Sequence, residues 1–341
     1  MNSYKNVKLI ILGLAMLVLA ACGDESVDGG SYELSAATNS QQTSAYVYTA
    51  ALADILQNDE ESEYDIDLEV LPYSGGIGNA ELVQNGEADI GIMFNMSSNW
   101  AYNGIVAYEE EYPDIRGLVG GMNEYFIGVI ASTDFLEKNN INSLKDIADN
   151  EIAVNLYANE PGTLAEYNTK LTLEAYGMSY DMIEEFGGSI EFTSNDVIQT
   201  AFQDGNADLH IMALGRGHQV ISEISTMTDI TLMDIEDEYH DFFTDIGYDS
   251  GTKFPAGEFN NQDYEVNIPS FYVTYIVNAD MDDEIAYHLA KTVNENKEAM
   301  AQSHAAMNDF VPEQAGYSAR NGNIPLHPGA EEFYEEIGAV D

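Results

Sequence analysis

Arg216 is the residue with the most chemistry to offer. It sits between Gly215 and Gly217, two residues before His218, where an apolar stretch gives way to a helical pattern. A guanidinium so placed can hold a carboxylate through two parallel hydrogen bonds. The alternative is an ion pair with one of the chain's many acids. Three other segments share this setting: Ser40-Gln41-Gln42-Thr43-Ser44, the glycine-rich run Ser74-Gly75-Gly76-Ile77-Gly78-Asn79, and Asn159–Thr163, which carries Gly162 and Thr163. Each lies between a strand pattern and a helix pattern. The first N–H groups of a helix have no partner within it, and with the helix dipole they attract anions. In open α/β sheets such loops lie beyond the carboxyl ends of the strands, where ligands bind. Ordinary caps and turns use the same residue types, so one loop alone decides nothing; four facing one cleft point to ligand binding. Tyr46, Tyr73 and Tyr157 stand near the same loops and either line a ligand or pack.

Covalent chemistry finds no such support. The chain has no GxSxG elbow, Walker loop, HExxH or CxxC. Its six histidines are scattered; His210 lies in an apolar strand and His327 in a Pro-Leu-His-Pro-Gly-Ala segment, both expected to be structural. Asp229–Asp249 does not fit a Ca²⁺ loop, and Gly76-Ile77-Gly78 lacks the third glycine of a dinucleotide fingerprint. No catalytic residue, metal or cofactor is expected.

The elements that must position these loops alternate between strand and helix. Strands are expected over Leu34–Thr38, Asp65–Leu71, Ala88–Phe94, Tyr125–Ala131, Glu151–Leu156, Ile190–Thr193, Ala207–Leu214 and Phe271–Val277. Asp65–Leu71 alternates strictly, with Ile66, Leu68 and Val70 on one face and acids on the other. Tyr46, Ala50, Ala53 and Leu56 share one face of the first helix by spacing. Asn79, Ser143 and Ser194 read as helix caps, Gly86, Gly177 and Gly205 as helix ends. Residues 235–264 read as irregular, and one long helix is expected over 281–304. Strand–helix units of this length imply parallel sheets covered by helices. Gly86-Glu87-Ala88-Asp89 and Gly205-Asn206-Ala207-Asp208 occupy equivalent places before two strands, which suggests two similar lobes.

The chain has 341 residues and a formal charge of −49, from 11 Lys+Arg against 60 Asp+Glu. That balance excludes a nucleic-acid footprint. At 45% hydrophobic and 11% aromatic the chain can build real cores. Lys5 and Lys8 precede the apolar run Leu9–Leu19, too short to span a bilayer comfortably. Leu19-Ala20-Ala21-Cys22 follows, with the chain's single cysteine and then the polar stretch Gly23–Gly30. This resembles a bacterial lipobox: residues 1–21 removed as a signal peptide, Cys22 lipidated and tethered to the membrane through residues 22–30, the protein outside the cytoplasmic membrane. An ordinary signal peptide or an anchor helix is the alternative. Charge repulsion on this scale destabilises a compact chain at low salt, and about 1 M salt screens it within about 3 Å. A high-salt or alkaline habitat is therefore expected, with a melting temperature that falls on dialysis to low salt.

Several motifs converge on one resemblance. Ala37-Thr38-Asn39-Ser40-Gln41-Gln42-Thr43-Ser44-Ala45-Tyr46 resembles the opening ATGSTGGTYY-type loop of the TAXI family of solute-binding proteins, the extracytoplasmic receptors of a class of TRAP transporters. Gln84–Gly91 resembles its QSGEADLG segment, Asp204–Asp208 with Gly215 its DGxxDA…G pattern, and Pro325–Ala330 its PLHPGA. The matches run in the family's order over about 34–338. The resemblance implies a two-lobed periplasmic-binding fold of the second type with parallel or mixed sheets: lobe one over 31–128, lobe two over 129–257, and a return to lobe one over 258–341. It implies a small organic anion, of the glutamate or 2-oxoglutarate class, gripped between the lobes and delivered to a TRAP-type membrane permease. Arg216→Ala is expected to weaken carboxylate binding at least tenfold. The chain departs from the family pattern at Asn39, Gln42 and Thr43, where the family has glycines, and at Glu160, whose carboxylate would repel an anion if it faced the cleft. A sensor feeding a membrane kinase, or an exported enzyme on the same fold, are the rival readings.

Overall fold

The computed structural model describes residues 30–39, 41, 43–72 and 77–341. The lipobox with Cys22 and the site residues Ser40, Gln42, Tyr73, Ser74, Gly75 and Gly76 lie outside the described residues.

Ten strands form one mixed sheet: β1 (Ser31–Thr38), β2 (Asp65–Pro72), β3 (Ile90–Phe94), β4 (Ile115–Val119), β5 (Glu124–Ser132), β6 (Asn155–Ala158), β7 (Ser189–Phe192), β8 (Leu209–Leu214), β9 (Ile230–Leu232) and β10 (Ser270–Asn278). The order is β2-β1-β3-β10-β5-β8-β6-β7, with β4 also on β10 and β9 on β5. The flanking helices are α1 (Ser44–Gln57), α2 (Asn79–Gln84), α3 (Asn95–Asn103), α4 (Thr133–Asn139), α5 (Leu144–Asp149), α6 (Leu164–Ala175), α7 (Tyr180–Glu185), α8 (Asn195–Gln203), α9 (Gln219–Met227), α10 (Asp237–Thr244), α11 (Asp283–Glu295), α12 (Lys297–Ser303) and α13 (Pro328–Ile337).

Within each lobe the core strands are parallel: β1 with β2 and β3, and β6 with β7 and β8. Two antiparallel strands, β5 and β10, join the lobes. The first three residues of β10 pair with β5, and its remainder pairs with β3 and β4. Two large cores flank this junction. One gathers Tyr48, Leu52, Ile66, Val273, Tyr275, Leu289 and Tyr334. The other gathers Ile127, Leu156, Ile211, Phe243, Phe254, Val266 and Ile268. Val266 and Ile268, beyond residue 258, also pack in the second core. Helix α3 also reaches across: Trp100 is buried in the second core, and its Nε1 donates to Ile246 O at 2.7 Å.

The echoed aspartates do the same job in each lobe. Asp89 accepts the Ser35 N–H of β1 at 2.8 Å, and Asp208 accepts the Asn155 N–H of β6 at 2.8 Å. Each carboxylate ties a strand start to its parallel neighbour.

Four local expectations are corrected. The buried face of α1 is Ala45, Tyr48, Thr49, Leu52 and Leu56, not the stripe through Tyr46, Ala50 and Ala53. The strand expected from Glu151 starts at Asn155, because Glu151 takes φ +52°, a left-handed turn conformation outside the β region. Residues read as irregular contain α10, which buries His240 and Phe243 and places Asp237 and Glu238 in its first turn, favourably for the helix dipole. The helix expected over 281–304 breaks at Asn296 into α11 and α12.

Candidate functional site

In lobe two the loops after β6, β7 and β8 surround one cavity of about 400 Å³, lined by Asn159, Glu160, Thr163, Ser194, Asn195 and His218 among others. Asn159 Nδ2 donates to Asn195 Oδ1 at 2.8 Å, cross-linking two of the loops. His218 Nδ1 is buried with no hydrogen-bond partner among the described residues, and burial pushes its pKa below the ordinary histidine value. A neutral imidazole nitrogen without a partner on a polar cavity wall is a ready contact for a ligand.

Helix α6 starts at this cavity. Thr163 is its N-cap and accepts the Glu166 N–H at 3.3 Å, while its own hydroxyl donates to Glu160 O at 2.8 Å. Gly162, at φ +86°, turns its N–H to Glu166 Oε2 at 3.3 Å. Glu166 is only 1% exposed and also meets Lys170 Nζ at 3.0 Å and Tyr180 OH at 3.1 Å. The expected anion cradle at Gly162 and Thr163 therefore already holds a carboxylate of the chain's own.

In lobe one, Thr43 caps α1 and accepts the Tyr46 N–H at 3.3 Å. Gln41 is exposed. Asn79 does not cap α2; it is the helix's first residue after Gly78. Its Nδ2 donates to Ala37 O at 3.0 Å and Ile92 O at 2.8 Å, tying β1 to β3. Its Oδ1, like Asn39 Oδ1, is buried without a partner among the described residues.

The two halves meet over Tyr125, at the start of β5. Its hydroxyl lies 3.4 Å from Ser44 Oγ at the head of α1. Its ring stands so close to Gly215 that a Cβ there would come within 3.3 Å. Phe94 packs edge-on against Tyr125, and Phe271 stacks on it at 5.8 Å. Sequence reasoning missed Tyr125, because its neighbours Ser44, Phe94, Gly215 and Phe271 come from four distant segments.

Tyr157 and Arg216 sit elsewhere than expected. The Tyr157 ring packs against the second core, and its carbonyl oxygen lies 2.7 Å from His210 Nδ1. His210 is buried as expected, and burial lowers its pKa from 6.5 to about 4. Arg216 Nη1 donates to Asp309 Oδ1 at 3.1 Å and lines a separate, smaller cavity at the lobe junction. His327 is structural: it caps α13, with Nδ1 accepting the Gly329 N–H at 3.3 Å.

Comparison with known proteins places this architecture. Residues 36–338 match the family described as the NMT1-like family. PhnD1 from Prochlorococcus marinus, solved with methylphosphonate, superposes at a TM-score of 0.54 with 12% identity, over 91% of this chain and 99% of that one. XAC2383 from Xanthomonas citri, solved with ATP, gives 0.50 at 11% identity, over 90% and 96%. A TctC solute-binding protein from Polaromonas gives 0.50 at 11%, over 82% and 88%. At these identities the likeness is one of fold, the α/β two-lobed fold of periplasmic binding proteins with a mixed sheet flanked by helices.

Proposed function

The chain belongs to the NMT1-like family, and from that premise we propose that it is an extracytoplasmic solute receptor of TAXI type. It captures a small organic anion, a carboxylate or amino acid, by closing its two lobes, and hands it to a TRAP-type membrane permease. One observation carries the reading: the head of α1 in lobe one and Gly215 after β8 in lobe two both touch Tyr125, and the same β8–α9 loop brings the buried Nδ1 of His218 to a polar cavity. A ligand touching both lobes favours the closed form by its differential affinity. The cavity offers amides, hydroxyls and an imidazole, with the Glu160 carboxylate also on its wall, so an anion must be held on the side away from Glu160. The TRAP-type partner, the lipid anchor at Cys22 and the high-salt setting rest on the resemblance and on composition.

The test is a calorimetric and thermal-shift panel of organic acids and amino acids, including glutamate and 2-oxoglutarate, in molar salt. A one-to-one ligand is expected, with a smaller radius of gyration by X-ray scattering when it binds and at least tenfold weaker binding in His218→Ala. A panel without binding, or binding that leaves the radius unchanged, overturns the proposal.

A further inference from the structure

The crossing strands carry a second cavity on their other face. Side chains alternate along a strand, so Glu124 and Tyr272, paired across β5 and β10, point away from Tyr125 and Phe271. They line a cavity of about 230 Å³ with Thr252, Arg216, Asp309 and Arg320. The chain has three arginines, and two of them meet here.

Each arginine bridges the lobes. Arg216 follows β8 of lobe two, and Asp309 closes the 3₁₀ turn Ala305–Asp309 of the return segment. Arg320, in the 3₁₀ turn Ser318–Asn321, lies flat on the Tyr272 ring at 3.7 Å. Its Nη2 donates to Gln314 Oε1 at 3.2 Å. Its Nη1 is buried 3.5 Å from Asp249 Oδ2 and makes no hydrogen bond among the described residues.

The carboxylates around these two guanidiniums are held unequally. Glu124 accepts the hydroxyls of Thr252 at 2.6 Å and Tyr272 at 2.8 Å. Asp249 accepts the Gly251 N–H at 2.8 Å. Asp309 meets only Arg216, and both partners stay open to water, at 35% and 43% exposure. An ion pair this exposed contributes little and opens cheaply. Two guanidiniums already face three carboxylates, so a fourth can enter only by exchange. Asp309 is the one able to leave.

We propose that this junction cavity is an anion site of its own, apart from the His218 cavity, that it binds the carboxylate of a small acid, and that Asp309 holds on Arg216 the place which that carboxylate takes by exchange. Arg320 Nη1 supplies the second donor, set in place by the Tyr272 ring. Glu124 and Asp249 remain, so the cavity takes a singly charged carboxylate in preference to a phosphate or a pair of carboxylates.

The experiment is calorimetry of the same acid panel, each acid paired with its uncharged carboxamide, against wild type, Asp309→Asn, Arg320→Gln, Arg320→Lys and His218→Ala. Circular dichroism melting confirms that each variant folds. Removing the internal competitor in Asp309→Asn should tighten acids at least fivefold and leave carboxamides unmoved. Arg320→Gln and Arg320→Lys should each weaken acids at least tenfold, since lysine restores the charge without the planar fork. Acids that bind wild type and are weakened by His218→Ala, yet are unmoved by Asp309→Asn and by both Arg320 variants, would overturn the exchange and leave the receptor reading standing. A panel that binds no protein in the set would sink both.

Discussion

The two halves of the cleft solve the same two problems with different residues. Each must tie the ends of neighbouring parallel strands, and each must settle the exposed N–H groups of the helix that follows. Lobe one ties β1 to β3 with the Asn79 amide. Lobe two ties β6 to β8 with the His210 imidazole at Tyr157 O. Lobe one opens α1 with Thr43 and puts Tyr46 at the third helical position, with no acid in the first turn. Lobe two opens α6 with Thr163 and puts Glu166 there. Lobe one thus uses an amide and hydroxyls. Lobe two uses a titratable ring and a buried charge. The helix end that can still welcome an outside anion is the one at α1, and acid should loosen lobe two first.

The largest effect should follow removal of Glu166. Glu166→Ala leaves Tyr180 OH, Lys170 Nζ and the Gly162 N–H without their shared partner. Lys170 and Gly162 are exposed and turn to water, but the half-buried Tyr180 hydroxyl and the space vacated by a buried side chain cost about 3 kcal/mol in such cases. Urea unfolding at pH 7.5 should show that loss, and Glu166→Gln, which keeps the shape and an acceptor, should lose less. Tyr46→Ala, the matching change in lobe one, should cost less than Glu166→Ala. Equal losses in the two lobes would erase the distinction between a charge-filled and a charge-free helix start.

Next comes the pH response of the two strand ties. His210 titrates near 4 in the folded chain against 6.5 when unfolded. Its contribution to stability is therefore complete above pH 6.5 and falls away as the pH drops toward 4, at roughly 1.4 kcal/mol per pH unit in that window. Between pH 6.5 and 5 the wild type should lose about 2 kcal/mol more than His210→Gln. Carboxylates titrate in both proteins, so the difference isolates the histidine. Parallel pH profiles for the two proteins would show that acid does not act through this tie.

Much of this contrast was open to inspection in the sequence, and some of it was not. The alternation of Asp65–Leu71, the caps at Ser143 and Ser194 and the echo of Asp89 with Asp208 are local signals. The structure returns each as a half-buried strand, a helix start or a strand tie. Of the four loops, Asn159–Thr163 and the one ending at His218 meet in one cavity. What failed was anything decided by a distant partner. Asp309 lies 93 residues from Arg216, so no spacing rule could assign that guanidinium to the junction cavity. The setting of Tyr125 needs Phe94 and Phe271. The face of α1 was misread because Thr49, polar by type, is buried, and its hydroxyl meets Tyr275 OH at 2.8 Å. The β6 boundary slipped because a left-handed Glu151 leaves no mark in composition.

The smallest effect sharpens the comparison most, because it asks lobe one to imitate lobe two. Tyr46→Glu places a carboxylate at the third position of α1, where Glu166 stands in α6. An acid there strengthens a helix by about 0.3–1 kcal/mol through the dipole, so the variant should fold. It should nevertheless bind an organic anion several-fold more weakly, since the position would then repel what the helix start attracts. Tyr46→Gln controls for the lost ring, and only the gap between Glu and Gln counts. That gap should shrink in molar salt, where the Debye length is about 3 Å, while any change due to the missing ring should persist. Equal affinities for Tyr46→Glu and Tyr46→Gln at low salt would mean that the anion does not lie near the head of α1.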